Sequence, residues 1–123
     1  MSISDYRAAA LLDGAVEGGS NYWYLIESMV EPETAVNPWG DDYCPRYVSF
    51  PFSIGGAVVI KDIEDDSDNT FVLDRTAIAR GKRILMTSPD YSLNYADVLK
   101  ENDDADTSDV FLQLCLFGEV IYG

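Results

Sequence analysis

Two acidic segments are the part of this sequence whose residue types most clearly suggest chemistry. Residues 62–68 and residues 101–109 carry five carboxylates each. Carboxylates a few ångströms apart can imitate the phosphates of a nucleic-acid strand and occupy a basic groove. The structural alternative is that they keep a hairpin tip soluble and complement a helix dipole. On the first interpretation, these residues contact a partner protein: Asp62, Glu64, Asp65, Asp66, Asp68, Glu101, Asp103, Asp104, Asp106 and Asp109.

The acidic segments do not have the spacing of a calcium-binding loop. A loop beginning at Asp65 places Thr70 where the pattern needs Gly and Thr76 where it needs a bidentate Glu. A loop beginning at Asp104 fails at the same two positions. We therefore predict no metal site.

Other residues that enzymes commonly use are missing from the sequence. It contains no histidine, which removes the usual general base and the commonest zinc ligand. It also lacks the glycine-rich phosphate-binding motifs GxxxxGK[ST] and GxGxxG. Cys44 and Cys115 have no metal or redox spacing and are expected to be free thiols. We expect a protein that is not an enzyme and needs no cofactor.

The overall charge favours a protein partner. Eight Lys and Arg against 22 Asp and Glu give a formal charge of -14 in 123 residues, which repels nucleic-acid phosphates and attracts basic surfaces. No apolar run approaches the roughly 20 residues that span a bilayer, and the first residues do not resemble a signal peptide. We predict one domain, residues 1–123, in the cytoplasm, with no membrane and no direct nucleic-acid contact. Homo-oligomerisation stays open.

A second hypothesis places a small anionic ligand on the basic residues. Half of the Lys and Arg residues lie on or beside one predicted helix, and Arg binds phosphate while Trp can stack on a base. The same cations can instead pair with the protein's own acids, and residues 22–24 are an aromatic cluster typical of a core. The ligand site under this hypothesis comprises Arg75, Arg80, Lys82, Arg83, Trp23 and Trp39.

The first half of the chain predicts a helix, an ambiguous aromatic segment and a loop. Residues 5–16 have helical spacing with Ser4 as the N-cap, and Gly18 and Gly19 should end the helix in the left-handed conformation. Residues 22–26 fit a short helix or a strand, and their aromatic and β-branched content favours the strand. The proline-containing residues 31–51 predict a long irregular loop.

The second half predicts a hairpin followed by helices. Residues 54–73 alternate like an antiparallel hairpin, and Asp74 should cap a helix to about Met86, weakened by Gly81. Residues 92–102 predict a further helix or helical turn, and residues 107–117 a central buried helix ended by Gly118. Residues 119–122 predict another strand. The fold class is therefore α+β, with a small antiparallel sheet of three to four strands and helices packed on one face.

Two segments resemble a known family. VEGGSNYWY near the start and ENDDADTSDVFLQLCLFGEVIYG at the end are similar to sequences in a family of small acidic proteins encoded by bacteriophages and prophages. The resemblance covers most of the chain in order, but the family has no assigned reaction, cofactor or functional residue to carry over.

The resemblance implies a bacterial cytoplasm during infection, where small acidic phage proteins often bind host machinery. It suggests a non-catalytic inhibitor of a host defence protein, similar to an anti-CRISPR or another counter-defence protein, acting by nucleic-acid mimicry through the acidic residues. The alternative is a nucleotide-binding sponge that sequesters an immune signalling molecule with the basic and aromatic residues.

Overall fold

The structure is a computed structural model and describes residues 2–20, 22–64, 68–102 and 104–123. A π-helical segment, Ala15–Gly19, continues α1, and a 3-10 turn, Pro89–Tyr91, precedes α4. The predicted α+β class is confirmed. The helices and strands of the described chain are, in order, α1 (Asp5–Gly14), β1 (Tyr24–Val30), α2 (Arg46–Phe52), β2 (Ala57–Asp62), β3 (Thr70–Leu73), α3 (Arg75–Thr87), α4 (Ser92–Leu99) and α5 (Ala105–Phe117).

The sheet has the strand order β1-β2-β3, and both strand pairs are antiparallel. β2 and β3 form the predicted hairpin, with Ile60 opposite Phe71. β1 pairs along the other side of β2, with a bulge between Ile26 and Ser28, so the ambiguous aromatic segment leads into a strand. The strand predicted at residues 119–122 is wrong, because this segment has no regular secondary structure.

The first helix ends near the predicted glycines, but through a π-helical segment. Ser4 caps it, its hydroxyl accepting from the Arg7 amide at 3.1 Å. The chain then continues through the π-helical segment, and the Ser20 amide donates to the Ala15 carbonyl at 3.0 Å. Gly18 is part of this segment and has no positive φ. The predicted left-handed stop at Gly18 is therefore wrong, because a wider helical turn reaches Ser20 instead.

The predicted loop over residues 31–51 is irregular only in its first part. Its end forms α2, which buries Val48 and Phe52 in the core. Pro51 lies in the last turn of this short helix, where losing one amide donor removes a single backbone hydrogen bond. Burial of the apolar side chains outweighs that loss, which local propensity could not show.

The last long helix, α5, is the centre of the core, as predicted. Phe111, Leu112 and Leu114 on it are fully buried. It packs closely on α3: a Cβ added at Gly81 would overlap the sulfur of Cys115. Gly81 is thus a packing requirement rather than a weak point in α3.

The helix ends match the capping signals closely. Asp74 accepts from the Ala77 amide at 2.9 Å at the start of α3. Asp104 caps α5 in the same way, so this helix begins a little before the expected residue 107. Gly118 ends it with a φ of 77°, as predicted for a left-handed C-cap.

Candidate functional site

The last residue of the second acidic segment, Asp109, lies inside the protein. It is 5% exposed. Its carboxylate accepts from Ser20 Oγ at 2.6 Å, Tyr22 Oη at 2.6 Å and Trp23 Nε1 at 2.7 Å. A fourth bond comes from Gln113 Nε2 at 3.1 Å. Four donors meet the needs of a buried carboxylate, so this group holds α5 to the segment between α1 and β1.

Gln113 extends this network to the end of the chain. Its Oε1 accepts from the amides of Ile121 at 2.8 Å and Tyr122 at 2.9 Å. Its Nε2 also donates to the Tyr122 carbonyl at 3.0 Å. Both the oxygen and the nitrogen of the Gln113 side chain therefore hold residues 121 and 122 against α5, although these residues belong to no strand.

The first residue of the first acidic segment, Asp62, is also buried. It accepts from Tyr122 Oη at 2.6 Å and from the Glu64 amide at 3.0 Å. Of the ten carboxylates predicted to contact a partner, Asp62 and Asp109 are therefore inside the molecule. That prediction is corrected for these two residues, because their oxygens bind internal donors and face no solvent.

The aromatic cluster at residues 22–24 is divided between core and surface. Trp23 is fully buried and stacks on Tyr122, with ring centroids 5.6 Å apart. Tyr24 is buried beside it, whereas Tyr22 is 44% exposed. Trp23 therefore presents no face on which a ligand from solvent could stack.

The buried carboxylate of Asp109 contributes to raised pKa values of two tyrosines. Burial, first, and then the hydrogen bond and charge of Asp109 raise the pKa of Tyr22 to about 12, with a further contribution from the charge of Asp106. Burial and Asp109 raise the pKa of Tyr24 to about 12. Asp106 is thus near enough to Tyr22 to act on it electrostatically, although Asp106 itself is exposed.

The exposed ends of both acidic segments approach the same short segment, Tyr22–Trp23. In the first acidic segment, Ile63 donates its amide to the Trp23 carbonyl at 2.9 Å, which places Glu64 next to it. In the second acidic segment, Asp109 accepts from Tyr22 Oη at 2.6 Å, and Asp106 precedes it by three residues on α5. We use the term acidic face for Tyr22 and the exposed carboxylates at these two chain segments, namely Glu64, Asp68, Asp104 and Asp106.

Two members of the acidic face also have local partners. Asp68 forms an ion pair with Lys61 at 3.1 Å, and Asp104 caps α5 through the Thr107 amide at 3.0 Å. Glu64 and Asp106 are both exposed, and no pairing of either carboxylate with a Lys or Arg is found within residues 2–20, 22–64, 68–102 and 104–123. These two residues are the most available charges of the face.

The remaining predicted carboxylates do not join this face in the described structure. Glu101 lines a separate hollow with Ser2, Arg7 and Leu99, on the side where α1 begins. Residues Asp65, Asp66 and Asp103 lie outside the described residues. Proximity along the sequence therefore did not produce a single surface of ten carboxylates.

The basic residues of the alternative ligand site point in different directions. Arg80 donates to the carbonyls of Cys115 and Leu116 at the end of α5. Lys82 pairs with Asp5 at 2.6 Å. Arg83 is exposed on α3.

One hollow does bring two of these cations together. Arg75 and Lys82 line a depression of ≈ 390 Å³ whose other walls include Phe52, Ile54 and Ile78. Trp39 is elsewhere, half-buried, with Nε1 donating to the Tyr6 carbonyl at 3.2 Å. The six residues of the alternative site therefore do not form one binding site.

The residues that sequence reasoning missed are those that complete the buried network, namely Ser20, Gln113 and Tyr122. One signal could have found Gln113, because it is the single polar residue in the apolar run VFLQLCLF. A polar side chain in a helix buried all round must have hydrogen-bond partners. No comparable signal marks Ser20.

The remaining candidate groups are the two cysteines and any cluster that could bind a metal ion. Cys44 and Cys115 are free, and burial raises the pKa of the Cys115 thiol. In the part of the chain that the structure describes, no three His, Cys, Asp or Glu side chains are grouped so that they could hold a metal ion. No helix among those residues has the length and apolar character needed to cross a membrane.

Comparison of the chain with protein-family models, with curated proteins and with solved structures gives no match. The chain is an α+β protein with a hydrogen-bonded interior carboxylate, Asp109, and exposed carboxylates on the two chain segments that contact Tyr22–Trp23.

Proposed function

We propose that this protein is a non-catalytic inhibitor that binds a basic, nucleic-acid-binding surface of a host defence protein, as a phage-encoded counter-defence protein does. The observation that supports the proposal is the acidic face, where Glu64 and Asp106 are exposed on the two chain segments that contact Tyr22–Trp23, and neither pairs with a Lys or Arg among the described residues. The phage setting rests on the sequence resemblance. The mode of action is competition with nucleic acid for the partner's groove.

The protein's own cations leave most of its negative charge in place. The formal charge is -14, and the ion pairs found among the described residues are Lys61 with Asp68 and Lys82 with Asp5. Arg80 is used by the carbonyls at the end of α5. A surplus of this size on a small protein produces a negative potential that steers it toward cationic surfaces.

Tyr22 adds a contact that nucleic-acid-binding grooves can use. Such grooves are rich in Arg, whose planar guanidinium both forks onto carboxylates and stacks on aromatic rings. On the acidic face, the partly exposed ring of Tyr22 belongs to the short segment that both acidic segments contact. The arrangement offers an Arg side chain an acceptor and a stacking surface together.

The test is a phage-plating assay in bacteria that carry a CRISPR or restriction system. Wild-type protein should restore plaque formation by a targeted phage. The variant Glu64→Gln/Asp106→Asn should weaken binding to the partner and reduce that rescue by at least about tenfold. The matched control is Asp41→Asn/Asp90→Asn, which removes the same charge from two exposed positions outside the acidic face.

Equal rescue by both variants would show that the acidic face is not the binding surface. Failure of the wild-type protein against every defence system in the panel would overturn the inhibitor proposal itself. Rescue lost in the first variant and kept in the control supports it. Purified partner and protein should then show binding that weakens steeply as salt concentration rises.

A further inference from the structure

We infer that the free edge of β1 accepts an extended basic and apolar segment of the partner as an added strand. This inference rests on the proposed function only for the nature of the partner, a protein with a cationic surface. It concerns a surface separate from the acidic face, made by the backbone and side chains of Tyr24–Val30.

β1 is an edge strand, with no described strand paired along its second side. β2 pairs along one side of it, and β3 lies beyond β2. Among the described residues, no hydrogen bond reaches the other side of the strand between Leu25 and Val30. A row of free amide and carbonyl groups is a template for another extended chain.

The usual protections of an edge strand are weak here. β1 is seven residues long and contains neither Pro nor Lys, the residues that most often block pairing at an edge. Leu25, Met29 and Val30 are 44%, 44% and 47% exposed. The protections present are the charge of Glu27 and the bulge between Ile26 and Ser28, and exposed apolar side chains lie on either side of that bulge.

The open face of the sheet continues this apolar surface. Val59 of β2 lies opposite both Ser28 of β1 and Val72 of β3, and Val72 is 52% exposed. An added strand next to β1 would direct alternate side chains to this face, since strand side chains alternate with a period of two. Apolar residues at those positions would cover Leu25.

The charges near β1 favour a basic segment over a second copy of this chain as the added strand. Glu27 lies within β1, Glu31 and Glu33 follow it, and the sequence has no Lys or Arg between Arg7 and Arg46. Two copies paired antiparallel about the middle of β1 would bring acidic strands together, which like charges across a pair disfavour. A segment carrying Lys or Arg would instead be attracted along the whole edge.

The edge is also continuous with the acidic face. β1 begins at Tyr24, which lies opposite Asp62, and the preceding residue, Trp23, accepts the Ile63 amide beside Glu64. A partner whose basic groove covers the acidic face therefore has the start of β1 within reach of an adjacent extended segment.

The experiment uses a synthetic peptide of alternating Lys and Val, eight residues long, with the whole protein. Its matched control is the same peptide methylated at every backbone nitrogen, which keeps all charges and side chains but removes the amide donors of a strand. Affinity is measured by fluorescence anisotropy at low salt, and the site by amide hydrogen exchange. We expect the parent peptide to protect amides of β1, and methylation to weaken binding by at least about tenfold.

A protein variant separates the edge from the acidic face. Glu27→Gln/Glu31→Gln should weaken binding of the parent peptide more than Glu64→Gln/Asp106→Asn does, because the first pair of charges lies on or beside β1. Equal affinity of the two peptides, or protection that excludes β1, would overturn strand addition. That result would leave the plating assay to decide the acidic face, so failure of one proposal is distinguishable from failure of the other.

Discussion

Asp106 and Asp109 are three residues apart on α5 and have opposite fates. Asp109 is 5% exposed and accepts four hydrogen bonds, whereas Asp106 is exposed at the surface beside Tyr22. Asp109 therefore stabilises the fold, and Asp106 contributes to the negative electrostatic potential at the surface. Residues three apart share one face of a helix, so the difference comes from position along the axis. Asp106 is in the exposed first turn, and Asp109 lies one turn further in, against the segment between α1 and β1.

The largest expected effect comes from removing the interior carboxylate, that of Asp109. Asp109→Ala leaves donors of Ser20, Tyr22, Trp23 and Gln113 without their acceptor. Unpaired buried polar groups cost about 1–3 kcal/mol each, with partial relief where water can enter. We expect a loss of about 3–5 kcal/mol in the free energy of unfolding, a large share of the stability of a small domain. Urea denaturation followed by circular dichroism measures it.

The matched control for that variant is Asp106→Ala on the same helix. It removes the same carboxylate chemistry from an exposed position in the first turn, where the interaction with the helix dipole is worth about 0.3–1 kcal/mol. Similar losses in the two variants would contradict the distinction between interior and surface acids.

The second prediction concerns the loss of stability at alkaline pH, where tyrosines beside the interior Asp109 titrate. Burial and Asp109 raise the pKa of Tyr22 and Tyr24 from 10.0 to about 12. A group whose pKa is higher in the folded than in the unfolded state contributes stability that is complete below the unfolded value. That stability should therefore fall as pH rises from about 10 toward about 12.

The ultraviolet absorbance of tyrosinate follows the ionisation of these tyrosines as pH rises. Tyr22→Phe should remove one late-titrating group, and Asp109→Asn should shift the remaining Tyr22 titration to lower pH because the hydrogen bond to a charged acceptor and its charge are gone. Unaltered titration in Asp109→Asn would contradict the role given to that carboxylate.

The fold was predictable where local signals and burial agree. The hairpin alternation, the cap at Asp74 and the stop at Gly118 are local signals, and the structure has the hairpin and helix ends expected there. The predictions failed where distant packing decides. Gly81 is fixed by Cys115 on another helix, and α2 forms despite Pro51 because its apolar side chains are buried.

The candidate site was predictable only in composition. The sequence shows how many acids there are and where they lie along the chain, but their division into interior and surface depends on contacts over long sequence separations. Ser20 and Asp109 are 89 residues apart, and Asp62 and Tyr122 are 60 apart. The segments VEGGSNYWY and DVFLQLCLFGEVIYG supply both sides of the network around Asp109.

The smallest expected effect concerns the surface acids themselves. Glu64→Gln/Asp106→Asn removes two exposed charges from a molecule of formal charge -14. Lost dipole interaction at Asp106 lowers stability slightly, while reduced repulsion among the remaining acids raises it, so we expect a net change within about 0.5 kcal/mol. Urea denaturation at low and high salt measures both terms, because salt screens repulsion between exposed charges. A loss above about 1.5 kcal/mol at both salt concentrations would mean that these carboxylates hold the fold together, as Asp109 does. A near-zero change leaves them free to be selected for binding, since a surface charge without a role in stability adds to the potential that a cationic partner meets.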